Sequence, residues 1–496
     1  MEAVITSLTQ AFMTVGYEVQ NIRLSDYLST LKPAGRKTPI REKGEKEQTD
    51  KYYKNRMDAG NAFRAQADRA DAFAFLAASA IRDKRIDFTG DHKKPRASVA
   101  YVLRSLKRKE EITKLRQIYG RNFVALAAYS DRRIRIKRLS SMLAAEYAEK
   151  NSSFFQRKAE DLVDRDRDEL SKEFGQNIQA AFPLSDFFVD SDRDDLDNQI
   201  KRIVELLFGH PFHSPSREEF GMFHAYATAL SSASLARQVG ASICTQEGEL
   251  MATGCNEVPK AGGGNYWGGD KPDARDHQRE EKVDSNDQEK KNILSDLLAR
   301  LRDTGFLRGT LKKASRDQLL DKALQPERGA GNSDLMNITE YGRMVHAEMA
   351  ALMQASRLGV AVKHSVMYCT TFPCHNCAKH IVAAGVRRLI YIEPYPKSHA
   401  FALHEDAISD GEGHSDGQKV VFRPFVGVSP EQYFRLFALG ELKRKRQGTS
   451  VDWHPAAALL RFPESPMVYI LRESAAIVEY TPRPAKMRRR RSKSNL

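Results

Sequence analysis

Cysteine and tryptophan are both scarce, at five and two in 496 residues. Five thiols (Cys244, Cys255, Cys369, Cys374 and Cys377) cannot all pair and are too few to staple a chain of this size, so a disulfide framework is excluded and thiol or metal chemistry is favoured. Long apolar runs are absent as well. The longest, Ala72 to Ile81, has about ten residues against the ~20 needed to cross a bilayer. The N-terminus shows no basic flank followed by an apolar core, so no secretory signal is read and the expected compartment is the cytoplasm. Wholesale disorder is excluded by 41% hydrophobic residues, and the length argues for two or three domains.

Charge is plentiful, at 29% of residues with a formal net charge of +14. Its distribution says more than its sum. The segment Pro482 to Leu496 carries Arg483, Lys486, Arg488, Arg489, Arg490, Arg491 and Lys493 and no acid, so half of the excess sits in a terminal appendix. Such a run is either a solvated tail or a sequence-independent contact to an anionic polymer.

Periodicity predicts helices over Val4–Thr14, Ala65–Arg82, Lys109–Tyr119 and Arg133–Lys150, with strands at Tyr17–Ile22 and Asn122–Tyr129. This alternation suits helices on a parallel sheet. A second unit is expected from about Asp186, with helices at Leu196–Phe208 and Glu218–Gln238. A hairpin follows from Val239–Thr245 and Leu250–Cys255 about the turn Gln246-Glu247-Gly248. After a glycine-rich loop and a polar insertion (262–340) come a helix from His346 to Leu358, a strand at Ser365–Cys369, a helix at Cys374–Ala384 and a strand at Arg388–Ile392. A strand is read at Val468–Leu471.

The chemistry concentrates in His346-Ala347-Glu348 and Pro373-Cys374-His375-Asn376-Cys377. One imidazole and two thiolates are three borderline ligands that leave a fourth tetrahedral position of Zn2+ open for water. Both halves fall at expected helix starts, where the dipole favours thiolates, and Pro373 suits a first turn. Glu348, two residues past His346, is poorly placed as a fourth ligand but well placed as a proton shuttle. Alone, His-x-Glu is common, and Pro-Cys-x-x-Cys could be a redox pair or half a structural zinc knot completed by His364, His375 or His380. Together, in this order, they match the signature of zinc-dependent base deaminases. Cys369 lies outside that signature and reads as a buried strand residue.

The stretch Thr370 to Val386 resembles the zinc motif of deoxycytidylate deaminases, and Arg237–Ala241 with Thr253–Pro259 resembles their first hairpin. Asn256–Trp267, Tyr391–Ser398 and Phe425–Pro430 are similar to bacterial two-part deoxycytidylate deaminases of anti-phage defence. That resemblance implies an α/β architecture: a cytidine-deaminase-like mixed sheet flanked by helices (186–446), preceded by a P-loop kinase-like domain (1–185) and followed by an extension with the basic tail (447–496). It also implies hydrolysis of dCTP or dCMP to the deoxyuridine form, depleting the pool available to a phage. Zn2+ would be held by His346, Cys374 and Cys377, with Glu348 as shuttle and Asn256 on the sugar; a structural turn is the lesser reading of Asn256. Lys260 with the backbone of Gly262 to Gly264 could cradle a phosphate or form a merely flexible loop. The family resemblance further implies a homo-oligomer, and an N-terminal domain that could sense a phage signal or a regulatory RNA.

The sequence departs from the pattern in two places. Ala350 stands where many deoxycytidylate deaminases have asparagine. In the N-terminal region, Arg56–Asn61, Leu106–Arg108 and Leu115–Gly120 look like the kinase-like domain, but the Gly-x-x-x-x-Gly-Lys-[Ser/Thr] loop is missing. Either the domain has degenerated or translation starts upstream of Met1, and in neither case is nucleotide phosphorylation expected. The rival reading is a cytosine or adenine deaminase acting on nucleic acid, with the Arg-rich tail supplying phosphate contacts. A non-catalytic scaffold is disfavoured by the presence of all three ligands and the glutamate.

Overall fold

The computed structural model describes residues 1–31, 49–147, 152–169, 172–280, 282–325, 329–338, 340–395, 397–411 and 418–480. The Arg-rich tail and most of the charged stretch 32–54 lie outside them. The chain divides into two compact units, Met1–Ser214 with Val426–Leu496, and Pro215–Phe425. The division therefore falls near 214, not near 186, and the C-terminal segment returns to the first unit. The reason is β4: Phe187–Asp190 is buried and runs parallel to β3, Leu126–Tyr129, so it is a strand of the N-terminal unit.

In unit 1, β1 (Glu18–Arg23) pairs in parallel with β2 (Val99–Arg104). The β3–β4 pair is extended by Gly427–Val428, antiparallel to β4. One core gathers Val4, Phe187, Ile200, Phe208, Val428 and Leu436. A second forms around the Ala-rich helix Ala72–Thr89 and includes Ala476 of the helix Pro466–Tyr480. That last helix replaces the strand expected at Val468–Leu471: Ile470, Glu473 and Ala476 are buried at a spacing of three, and Glu473 pairs with Arg85 and accepts from the Tyr119 hydroxyl at 2.9 Å. The expected helix Ala65–Arg82 is instead two, Thr49–Ala67 and Ala72–Thr89, broken where Asp68 takes a left-handed φ of 52°. No helix among the described residues is long and apolar enough to cross a membrane.

Unit 2 is built on a mixed six-stranded sheet. Strands β5 (Gly240–Cys244) and β6 (Leu250–Cys255) form the hairpin, closed by Gly248 at φ 101°. Strand β7 (Val366–Thr371) is antiparallel to β5 and parallel to β8 (Arg388–Glu393), beyond which β10 (Val420–Pro424) and the short β9 (Ile408–Ser409) continue in parallel. Strand β5 is buried throughout, as a central strand covered on both faces must be. On one side lies the helix Arg217–Ala229, started by a capping box between Ser216 and Glu219. Its Gly221 sits so close to Tyr368 that a Cβ there would come within 2.2 Å of the ring. On the other side the helices Ala347–Leu358 and His375–Ala383 pack Ala347, Ala351, Ala355, Ala378 and Ile381 against Ala241, Ile243 and Met367.

The helix expected over Glu218–Gln238 stops at Ala229. The chain then turns through Ser232, whose hydroxyl donates to the Asn256 carbonyl at 2.8 Å, and Ala233, whose amide donates to Glu257 at 2.7 Å, to enter β5. The insertion leaves and rejoins the sheet at an antiparallel bridge between Glu257 and Val345. It carries helices Ser285–Asp303, capped by Asp284, and Arg316–Ala323, with Leu294, Ala299 and Leu319 buried.

Candidate metal centre

The site is assembled where β7 ends and two helices begin. His346 is the N-cap of Ala347–Leu358 (φ −64°, ψ 153°), so its extended backbone turns the imidazole away from the helix axis. Cys374 is the N-cap of His375–Ala383, and its Sγ accepts from the Cys377 amide at 3.4 Å. The connection from β7 is fixed on both sides: the Phe372 amide donates to the Glu393 carbonyl at 2.8 Å, and Ser398 Oγ donates to the Pro373 carbonyl at 2.7 Å.

His346 Nδ1 lies 3.4 Å from Cys374 Sγ and 3.4 Å from Cys377 Sγ. Zinc bonds to sulfur and nitrogen at tetrahedral angles separate those atoms by about 3.6 Å, so the trio fits the ion with little movement. Among the described residues the cluster has these three members, and His364, His375 and His380 stand outside it. A structural knot would need a fourth protein ligand; three leave a position open.

Electrostatics follow from the packing. The Cys374 thiol is pulled down to about 4, chiefly by the hydrogen bond donated by Cys377 and also by His346, against the effect of burial. Cys377 is pushed well above the usual thiol range because it keeps the proton shared with Cys374 and is buried. His346 is raised by its hydrogen bond to Cys374. Glu348, in the first turn and 4% exposed, is raised by burial first and by the Cys374 charge second. A carboxyl biased towards its protonated form beside an open metal position can both take and give a proton.

The other expected contacts are placed differently. Asn256 is buried, with Oδ1 accepting from the Val239 amide at 2.7 Å and Nδ2 donating to the Arg237 carbonyl at 2.8 Å, so its amide ties the loop after β6 to the entry of β5. Lys260 Nζ is 2.8 Å from Asp270 on an exposed loop. The glycines beside it have positive φ, and Gly263 and Gly264 lie over Arg357. Two residues given no role from sequence belong to the surroundings. Glu257, 1% exposed, accepts from the Ala233 and Val258 amides. Arg237 pairs with Glu393 at 3.0 Å, lies 5.4 Å from the Tyr395 ring and, as the smallest of the influences on His346, works against its upward shift. Its signal was available in the quoted stretch Arg237–Ala241, but nothing in the spacing gives a cation there a task.

Residues 215–393 match the family described as the cytidine and deoxycytidylate deaminase zinc-binding region. Over 68 residues the chain is 42% identical to ComE operon protein 2 of Bacillus subtilis (strain 168), covering 14% of this chain and 35% of that one. Over 54 residues it is 41% identical to the deoxycytidylate deaminase of Enterobacteria phage T2, covering 11% and 29%. The chain thus spans about a third of the length of these curated relatives. A solved structure of the dCMP deaminase from cyanophage S-TIM5 with dCMP and dUMP aligns with 43% of this chain and 99% of that one, at 16% identity and a TM-score of 0.25. The matched zinc-binding region lies in unit 2, where it forms a mixed sheet with flanking helices around the His/Cys/Cys cluster.

Proposed function

We propose that the protein hydrolyses deoxycytidine nucleotides, dCTP or dCMP, to deoxyuridine nucleotides and ammonia. The observation that carries this reading is a three-membered His/Cys/Cys cluster with the buried Glu348 beside it. A zinc ion held by His346, Cys374 and Cys377 would supply water acidified to near neutrality. Glu348 takes one proton of the attacking water and passes it to N3 of the pyrimidine as C4 is attacked; it then takes the proton of the new C4 hydroxyl and delivers it to the amine, which leaves as ammonia while the C4 carbonyl forms. Its raised pKa suits a group that must hold a proton between those transfers. Asn256 would present its remaining amide proton to the sugar, and Lys260, released from Asp270, would meet the phosphates; both assignments are part of the proposal.

The wider role we infer is depletion of a DNA precursor during phage infection. Unit 1 is read as a kinase-like domain without its phosphate loop that senses a phage signal or RNA rather than phosphorylating a nucleotide. A cytoplasmic homo-oligomer completes the proposal. Ammonia release from dCTP, dCMP, CTP and single-stranded DNA tests it. Turnover of a deoxycytidine nucleotide is expected. Zinc-loaded protein inert on all four would overturn the assignment, and turnover of DNA alone would replace it with the nucleic-acid reading.

A further inference from the structure

Unit 1 brings two imidazoles and a carboxylate together at a point that no part of the deaminase chemistry uses. Glu205 lies in the last turn of the helix Leu196–Leu207, and His210 and His213 lie in the turn that follows. One ligand atom from each lies within 4.8 Å of the other two. Glu205 Oε2 is 2.6 Å from His213 Nε2, and the His210 and His213 rings are 4.3 Å apart at 38°. Glu205 Oε1 is 4.0 Å from the exposed Lys201 ammonium, a screened contact that leaves Oε2 to the ring.

The local backbone builds this arrangement. Gly209, at φ 70°, reverses the chain, and the His210 amide donates to the Glu205 carbonyl at 2.9 Å. Trp453 walls one side, its ring 4.8 Å from that of His210 and its indole N–H donating to the Phe208 carbonyl at 3.2 Å. The Phe212 amide donates to Nδ1 of His210 at 3.3 Å and so fixes the ring's orientation. The three side chains are partly exposed, with 21% for His213 and 18% for Glu205, so an ion can reach them without opening the core.

We propose that Glu205, His210 and His213 form a second divalent-metal site for a borderline transition ion such as Zn2+, with water completing the coordination. Two imidazoles and one carboxylate are a donor set such ions favour. The ion takes the place of the hydrogen bond between Glu205 and His213. A bound ion would tie the end of the helix to His213, the residue before Ser214, where unit 1 gives way to unit 2.

The test is metal stoichiometry on the full-length protein, stripped by chelation, reloaded with Zn2+ and freed of excess ion. Wild type is expected to retain about two ions per chain, and Cys374→Ser with Cys377→Ser about one, because the two sites are independent. His210→Asn with His213→Gln should also retain about one. In its Co2+ form this variant should keep the thiolate-to-metal absorption of the cysteine site, which also reports that unit 2 is folded. Glu205→Gln preserves a hydrogen bond to His213, so a purely structural pair predicts unchanged metal content. The metal site predicts that affinity for the second ion falls more than about 100-fold, beyond the loss usual for changes outside the ligand shell. One ion in wild type that vanishes with the two cysteines, or two ions in the His210/His213 variant, would overturn the proposal.

Discussion

Glu348 can be separated experimentally from the ligands beside it. Glu348→Gln keeps the shape and the hydrogen-bonding reach but removes the proton acceptor, so kcat should fall by at least about 10²–10⁴-fold with zinc content unchanged. Metal analysis beside the ammonia assay checks both halves of that expectation. His346→Ala deletes one of the three donors and should lower zinc content and turnover together. If Glu348→Gln lost zinc as His346→Ala does, the carboxylate would be a ligand and the shuttle assignment would fail. Most of this was legible from sequence because His-x-Glu and Pro-Cys-x-x-Cys constrain each other in order and type. The proposed substrate contacts were less so: Asn256 and Lys260 each meet a partner from the loop geometry, Arg237 and Val239 in one case and Asp270 in the other, which no spacing rule announces.

At the scale of elements, the metal centre depends on how closely strand β6 approaches the helix Ala347–Leu358. A Cβ on Gly254 would sit 2.3 Å from the Ala351 amide nitrogen and 2.5 Å from the Ala347 carbonyl oxygen, both backbone atoms that cannot swing aside. Gly254→Ala should therefore cost about 1–3 kcal/mol by overpacking and displace the helix that carries His346 and Glu348. Loss of zinc affinity together with a lower melting temperature is the expected readout; a variant that melts and binds zinc normally would show that the helix can shift freely. Elements with a clean period were visible in advance. The expected hairpin and the β7 and β8 strands agree with the structure to within a residue or two. The helix at Pro466–Tyr480 was hidden because its buried face includes Glu473, a charge made tolerable only by Arg85 and Tyr119 from distant sequence. Ser285–Asp303 was hidden by its charged surface, its buried side being marked by Leu294, Ala299 and the charged Lys290.

At the scale of the whole molecule, unit 1 is made of two separated stretches of chain and unit 2 of one. Inside unit 1, Arg64 and Glu111 form a buried ion pair at 2.7 Å, with side chains 1% and 0% exposed. Arg64→Met leaves an uncompensated carboxylate and should destabilise that unit by about 3–5 kcal/mol. Denaturation followed by probes in each unit should show this as an early transition that spares zinc retention at His346, Cys374 and Cys377, since a two-unit chain need not unfold in one step. Truncation after Phe425 should act in the same direction by removing Val428, Leu436 and Ala476 from the two cores of unit 1. Limited proteolysis is expected to digest residues before Pro215 and leave a zinc-binding fragment. The domain division was the part least visible in sequence, because the pairing of Gly427–Val428 with Phe187–Phe188 joins positions some 240 residues apart.

The same return of the chain fixes an order of events on the ribosome. Unit 2 is fully synthesised when Phe425 has been added, whereas unit 1 still awaits the strand Gly427–Val428 and the helix Pro466–Tyr480. At translation rates of roughly 5–20 residues per second, the 55 residues from Val426 to Tyr480 take about 3–11 s. During that interval a metal-competent domain coexists with an N-terminal unit whose apolar faces are uncovered, so the nascent chain should need chaperone protection after its zinc-site domain is already complete.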